Sequence, residues 1–318
     1  MKGFAAALSI RLLAASLVAA PLIGAPMVAR AQDEAPWNLP TPTMGGTQLW
    51  RDSHVFAGWR IQENVLTGYY RLLDPEDIRR AWGSYPQVKA RLDALKKIEN
   101  IHQPSKHLVL LVHGILRSTG TFSELEKALI DAGFDAVAIS YPSTRSSIEE
   151  HAEGLARLLD RQEGTETVSF VTHSMGGLVV RHLLSRDEAW MRRIAVHRIV
   201  LIAPPNQGSA IARLFEDIPA YRLIYGEAGQ QLTPAEASNI PAIEHPFAIV
   251  AGGIGDGEGF NPLLPGDDDG TVGVAETRLE GAMDFLLVPE IHAMISNHQD
   301  TIRATINFLK HGKFDAAL

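Results

Sequence analysis

Residues 167–184 read TVSFVTHSMGGLVVRHLL. The run from Thr167 to Val171 is rich in β-branched and aromatic residues, as a short buried strand is, and the run from Gly177 onward reads as helix. The change of pattern falls at Thr172-His173-Ser174-Met175-Gly176-Gly177. A serine at such a junction is held on a tight turn with its hydroxyl above the strand end, and the N–H groups that open the helix point into the same space. Small residues around it are a steric requirement. Gly176 and Gly177 meet it on the helix side, whereas Thr172 stands where a G-x-S-x-G motif has its first glycine. A serine that only caps a helix is the competing reading, and the strand-turn-helix context weighs against it.

Outward from this stretch the pattern is regular. HLVLLVHG, DAVAISYP, HRIVLIAPP, PFAIVAGG and FLLVPE read as further strands, while TFSELEKALIDAG and SSIEEHAEGLARLLDRQEG read as helices between them. Thr121 with Glu124, and Ser147 with Glu150, have capping-box spacing. Ile148, Ala152, Leu155 and Leu159 fall on one helical stripe, and Gly164 suits its left-handed end. Strands alternating with helices require crossover connections, hence an α/β fold with a mostly parallel sheet covered by helices on both faces. The division expected is a leader at 1–31, an N-terminal extension at 32–106 packed on the same domain, and a catalytic domain at 107–318. Within the extension, Val88, Leu92, Leu95 and Ile98 predict a helix between Arg79 and Asn100. Trp50, Trp59, Tyr69 and Tyr70 lie in segments that the pattern leaves unpaired.

Composition narrows the chemistry. No cysteine occurs among the 318 residues, which excludes disulfides, thiolate metal sites and a cysteine nucleophile. With 29 Lys+Arg against 37 Asp+Glu and a formal net charge of −8, the chain shows no basic stripe, so nucleic acid is not the expected partner. The start, with Lys2 and Arg11 flanking an apolar run that ends at Ala29-Arg30-Ala31, reads as a secretory signal peptide rather than a membrane span. Export to the periplasm or the exterior is therefore expected.

A serine hydroxyl is a weak nucleophile until a base takes its proton and donors stabilise the oxyanion that forms. Val112-His113-Gly114-Ile115 ends the first strand of the series, and Gly114 lets the backbone approach closely. The N–H groups of Ile115 and Met175 are thus the expected oxyanion pair. His113 and His173 are read as structural histidines. The base and its orienting acid should follow the serine, acid first. The acidic turn Gly266-Asp267-Asp268-Asp269-Gly270-Thr271-Val272 follows one strand, and His292 follows the last. An aspartate of that turn would fix the imidazole tautomer. His298 competes with His292 but falls in the final helical pattern. A calcium loop would need six or more oxygens, more than an acidic triplet declares.

HGI after the first strand, THSMGG, APPNQGS, DGTV and the late histidine resemble the α/β-hydrolase superfamily, and within it the lipase and esterase branch, over residues 105–311. PPNQGS followed by PGDDDGTV and VPEIHAMI is similar to bacterial exported lipase-like hydrolases that themselves resemble GPI-inositol deacylase domains. The resemblance implies an eight-stranded sheet and ester hydrolysis without a cofactor or metal. It maps the nucleophile onto Ser174, the base onto His292 and the acid onto Asp269. The partner it implies is a small-molecule or lipid ester, the latter with transient contact at a membrane surface. A silent fold member that only binds, an acyltransferase and a thioesterase are the alternatives. Asn206 and Gln207 are expected to shape a turn. The excursion from Pro204 to Pro246, with its dense cluster of apolar residues, is expected to cap an acyl pocket through Phe215 and Tyr221.

Overall fold

The aromatic-rich segments that could not be paired by pattern form a sheet of their own. The computed structural model describes residues 41–42, 48–102 and 105–315; the signal-peptide reading of 1–31 lies outside them. Strands β1 (Thr41–Pro42), β2 (Trp50–Phe56), β3 (Trp59–Asn64), β4 (Tyr70–Leu73) and β5 (Ile78–Gly83) pair antiparallel in the order β1-β5-β4-β3-β2. Helix α1 (Tyr85–Ile98) covers this sheet, burying Val88, Leu92 and Leu95 against Trp59, Ile61 and Leu72. Ile98, the fourth residue of the expected stripe, is exposed.

The second sheet is the one legible in the sequence. Strands β6 (His107–Val112), β7 (Asp135–Ile139), β8 (Thr167–His173), β9 (Ala195–Ile202), β10 (Phe247–Gly252) and β11 (Phe285–Val288) lie in the order β11-β10-β9-β8-β6-β7, and every pair is parallel. The crossovers are α2 (Ser123–Asp131), α3 (Ile148–Asp160) and α4 (Met175–Leu184), with α5 (Ala210–Phe215), α6 (Pro219–Gln230) and α7 (Pro234–Ala237) in the excursion and α8 (Gln299–His311) last. Alternate residues of a strand face opposite sides, and the two cores divide accordingly. Leu108, Leu110 and Val112 of β6 pack with α3 and α4, whereas Val109 and Leu111 pack with α2 and α8. Burial on both faces explains why these strands read as continuous apolar runs.

The sheet has six strands among the described residues, where the resemblance implied eight. The antiparallel strands do not extend it; β2 meets the end of β7 through the Asp52 N–H, which donates to the Ser140 carbonyl at 2.8 Å. The Asp52 carboxylate returns the bond from the Ser140 N–H at 2.6 Å and pairs with Arg60 at 3.0 Å. An exposed edge strand is thereby covered at one end.

Ser147 and Glu150 form the expected capping box of α3. The box expected from Thr121 and Glu124 does not form. Thr121 lies in a 3₁₀ turn (Thr119–Phe122) ahead of α2, and the Asn297 side-chain oxygen accepts from the Glu124 and Leu125 N–H groups instead, at 3.1 and 3.3 Å. The cap comes from more than 170 residues away, which no local pattern could reveal.

Candidate active site

Strand order reverses between β6 and β8, because β7 was laid on one side of β6 and β8 on the other. Crevices at the carboxyl ends of strands open at such switch points. The loop after β6 and the turn after β8 both face this one.

Ser174 joins β8 to α4 with φ 54° and ψ −128°, a conformation non-glycine residues adopt only where the surroundings enforce it. The enforcement is steric and hydrogen-bonded. The Ser174 N–H donates to the Ile202 carbonyl at 2.9 Å. A Cβ on Gly176 would collide with the Val112 and His113 carbonyls, and one on Gly114 would stand 2.8 Å from the Ser174 Cβ. Both positions therefore require glycine. Thr172 stands where the motif has glycine without crowding the turn: a Cβ on Gly177 would sit 3.4 Å from its hydroxyl, an ordinary contact.

Met175 N–H is the first of α4 and Ile115 N–H leaves the loop after β6; neither donates to a protein acceptor among the described residues. Leu116 follows at φ 58°, held by its N–H to the Ser143 hydroxyl at 3.1 Å.

The three consecutive aspartates have three different environments. Asp267 accepts from the Ile254 and Gly255 N–H groups at 2.7 and 2.9 Å. Asp268, fully buried, accepts from Gly270 and Asn261 N–H at 2.6 and 3.0 Å. Asp269 alone meets the imidazole: His292 Nδ1 donates to its Oδ2 at 2.6 Å. Its Oδ1 accepts from Thr271 and Val272 N–H at 3.0 and 2.7 Å, and the His292 N–H donates to its backbone carbonyl at 2.8 Å. With Nδ1 protonated, Nε2 of His292 carries the free lone pair. Ser174 and His292 line one cavity of about 240 Å³. The structure gives no hydrogen bond between the Ser174 hydroxyl and His292 among the described residues, and such bonds commonly tighten only with substrate bound.

 

A separate cavity measures about 390 Å³. The separate cavity lies between the β2–β3 turn and β7, lined by Phe56, Arg60, Asp77, Glu126, Phe134 and Asp135 among others. It is the larger of the two but holds no serine or histidine. Size therefore does not pick out the site, and the chemistry of the lining does.

His113 and His173 support the site from behind. His113 Nδ1 donates to the Gly114 carbonyl at 2.8 Å, and the Tyr141 ring stacks on its imidazole at 4.3 Å while the Tyr141 hydroxyl donates to the His113 carbonyl. Burial pushes His113 down to about 4. His173 Nε2 donates to the His292 carbonyl at 2.9 Å. Burial first, then the neighbouring His292 imidazole, holds His173 well below the ordinary histidine range. His298 stands outside the group as the N-cap of α8, accepting from the Asp300 N–H at 3.2 Å.

The excursion contributes Pro205, Ser209, Ile211, Ala212, Tyr221, Tyr225 and Leu232 to the cavity wall. Tyr221 is buried, and its hydroxyl donates to the Gly229 carbonyl at 3.1 Å. Phe215 is not part of the lining; it stacks on Tyr221 with ring centres 6.4 Å apart and packs against the core. Asn206 braces the turn after β9, donating to the Thr277 carbonyl at 2.8 Å. Two supporting residues escaped the sequence reading. Tyr141 carries no motif, and Gly252, where a Cβ would stand 2.7 Å from the Asp269 Cβ, could have been noticed as a glycine ending a strand.

A family model described as a domain of unknown function (DUF7379) matches residues 77–216. A search of the curated proteins finds no match. Among solved structures the chain is similar to the mature form of Bacillus licheniformis lipase BlEst2, at 20% identity and a TM-score of 0.53, covering 66% of this chain and 94% of that one. The propeptide form of that lipase gives 20% identity and a TM-score of 0.54, covering 66% and 52%. The chain has the α/β-hydrolase fold.

Proposed function

We propose that the protein is an exported serine hydrolase that cleaves carboxylic esters, with Ser174 as nucleophile, His292 as base and Asp269 as orienting acid. The observation that carries this reading is the 2.6 Å bond from His292 Nδ1 to Asp269 in a cavity shared with Ser174. His292 Nε2 takes the Ser174 proton as Oγ attacks the ester carbonyl, and the N–H groups of Ile115 and Met175 receive the oxyanion. Collapse expels the alcohol, protonated by His292, and leaves an acyl-enzyme on Ser174. Water, activated by the same imidazole, then releases the acid and restores the serine. The likeness to a Bacillus licheniformis lipase supports an ester substrate.

A cavity of 240 Å³ is smaller than the roughly 300–1,000 Å³ usual for drug-sized ligands, so the reading favours a short acyl chain or one held only in part. We take residues 107–318 as the catalytic domain, 32–106 as its extension, 204–246 as a cap, and 1–31 as a cleaved leader. A fluorophosphonate probe should label Ser174 and nothing in Ser174→Ala, and the variant should lose several orders of magnitude in kcat on p-nitrophenyl butyrate. An alanine variant that keeps most of the rate overturns the assignment.

A further inference from the structure

We propose that Arg117 fits this site to esters whose alcohol part carries an anionic group, a phosphate or a carboxylate. The inference rests on the ester-hydrolase reading. Arg117 lines the cavity, and no Asp or Glu does. Its guanidinium is exposed and makes no ion pair among the described residues, whereas Arg186, Arg222 and Arg303 lie against carboxylates. The chain as a whole carries a formal charge of −8, so an unpaired cation at the mouth of the site has a local effect that the rest of the surface opposes.

The backbone directs this residue. Leu116 at φ 58° turns the chain after the oxyanion loop, and the Arg117 N–H closes that turn on the Gly114 carbonyl at 3.3 Å. Arg117 lines the cavity beside Ile115 and Leu116 of the same loop and together with Ser174, which puts it on the site's side of the loop. The lining that the excursion supplies, Ile211, Ala212, Tyr221, Tyr225 and Leu232, is a largely apolar wall that suits the acyl chain. An anion on the acyl chain would be driven into that wall and lose its hydration. On the alcohol it meets a planar fork of donors that matches phosphate or carboxylate geometry.

The test compares kcat/KM of the full chain for four butyryl-type esters: 1-butyrylglycerol 3-phosphate, butyrylglycolate, neutral 1-butyrylglycerol, and monoglyceryl succinate with its charge on the acyl side. Wild type should prefer an alcohol-side anion over the neutral ester by about tenfold at low salt, and the preference should shrink in high salt. The phosphate and glycolate arms tell which anion is favoured. Arg117→Gln should remove the preference, chiefly through KM, and Arg117→Lys should restore part of it. An unchanged ratio in Arg117→Gln, or an equal gain for the succinate ester, overturns the inference while leaving the hydrolase reading intact. Failure of wild type to cleave any of the four overturns both.

Discussion

Replacing Asp269 by Asn tests the triad at one atom. Oδ1 of Asp269 accepts from Thr271 and Val272 N–H at 3.0 and 2.7 Å, and Oδ2 accepts from His292 Nδ1 at 2.6 Å. An asparagine keeps its carbonyl oxygen on the two backbone donors, so its NH₂ group must face the imidazole. His292 Nδ1 then has to accept, the proton moves to Nε2, and the nitrogen facing the serine becomes a donor that cannot take the Ser174 proton. A wrong tautomer in this arrangement costs about 10⁴ in kcat, or about 5 kcal/mol of barrier. Folding should barely change, because both backbone N–H groups keep their acceptor. The assay is steady-state hydrolysis of p-nitrophenyl butyrate beside a thermal melt. Asp268→Asn is the control: its carboxylate bonds only to the Asn261 and Gly270 backbone, so it should lower Tm and leave the kcat of the folded protein within a few-fold. Asp269→Asn retaining more than a tenth of wild-type kcat, or equal losses in the two variants, would refute the reasoning.

Asn297→Ala removes the acceptor for two N–H groups at the start of α2 and should cost about 1 kcal/mol in urea unfolding. Tyr221→Ala, which alters the cavity wall, should change the long-chain over short-chain kcat/KM ratio, whereas Phe215→Ala should lower stability with less change in that ratio; the opposite pattern would return Phe215 to the pocket. Stability should fall as the solution is acidified from pH 6.5 to 4. His113 sits at about 4 in the folded chain against 6.5 when free, so in that window the unfolded chain binds a proton that the native one refuses, and stability is lost as pH falls. The full loss from this group is about 3 kcal/mol. His54, lowered to about 4, and His151, lowered to about 3, act in the same direction. Urea titrations at pH 7 and pH 5 should show the slope, and His113→Gln should reduce it.

The sequence by itself determined the six-stranded α/β sheet, because strands buried on both faces must be continuous apolar runs and the helices between them carry a 3.6-residue stripe; both are local signals. It also determined the turn at Ser174, since only a glycine at position 176 permits the backbone crowding found there and Gly177 leaves room for the Pro204 side chain. The residue pattern left open which of three adjacent aspartates meets His292, and the resemblance pointed to Asp269; the contact itself is set by tertiary structure, because Asp267, Asp268 and Asp269 differ not in type but in the direction each side chain takes from the turn. The same holds for the α2 cap, supplied by Asn297 rather than Thr121, and for the pairing of Trp50, Trp59 and Tyr70 in an antiparallel sheet. Tyr221 reaches the cavity and Phe215 stacks behind it although both belong to one apolar cluster in sequence. Hydrophobic pattern specifies that a side chain is to be buried; which surface buries it depends on partners distant along the chain.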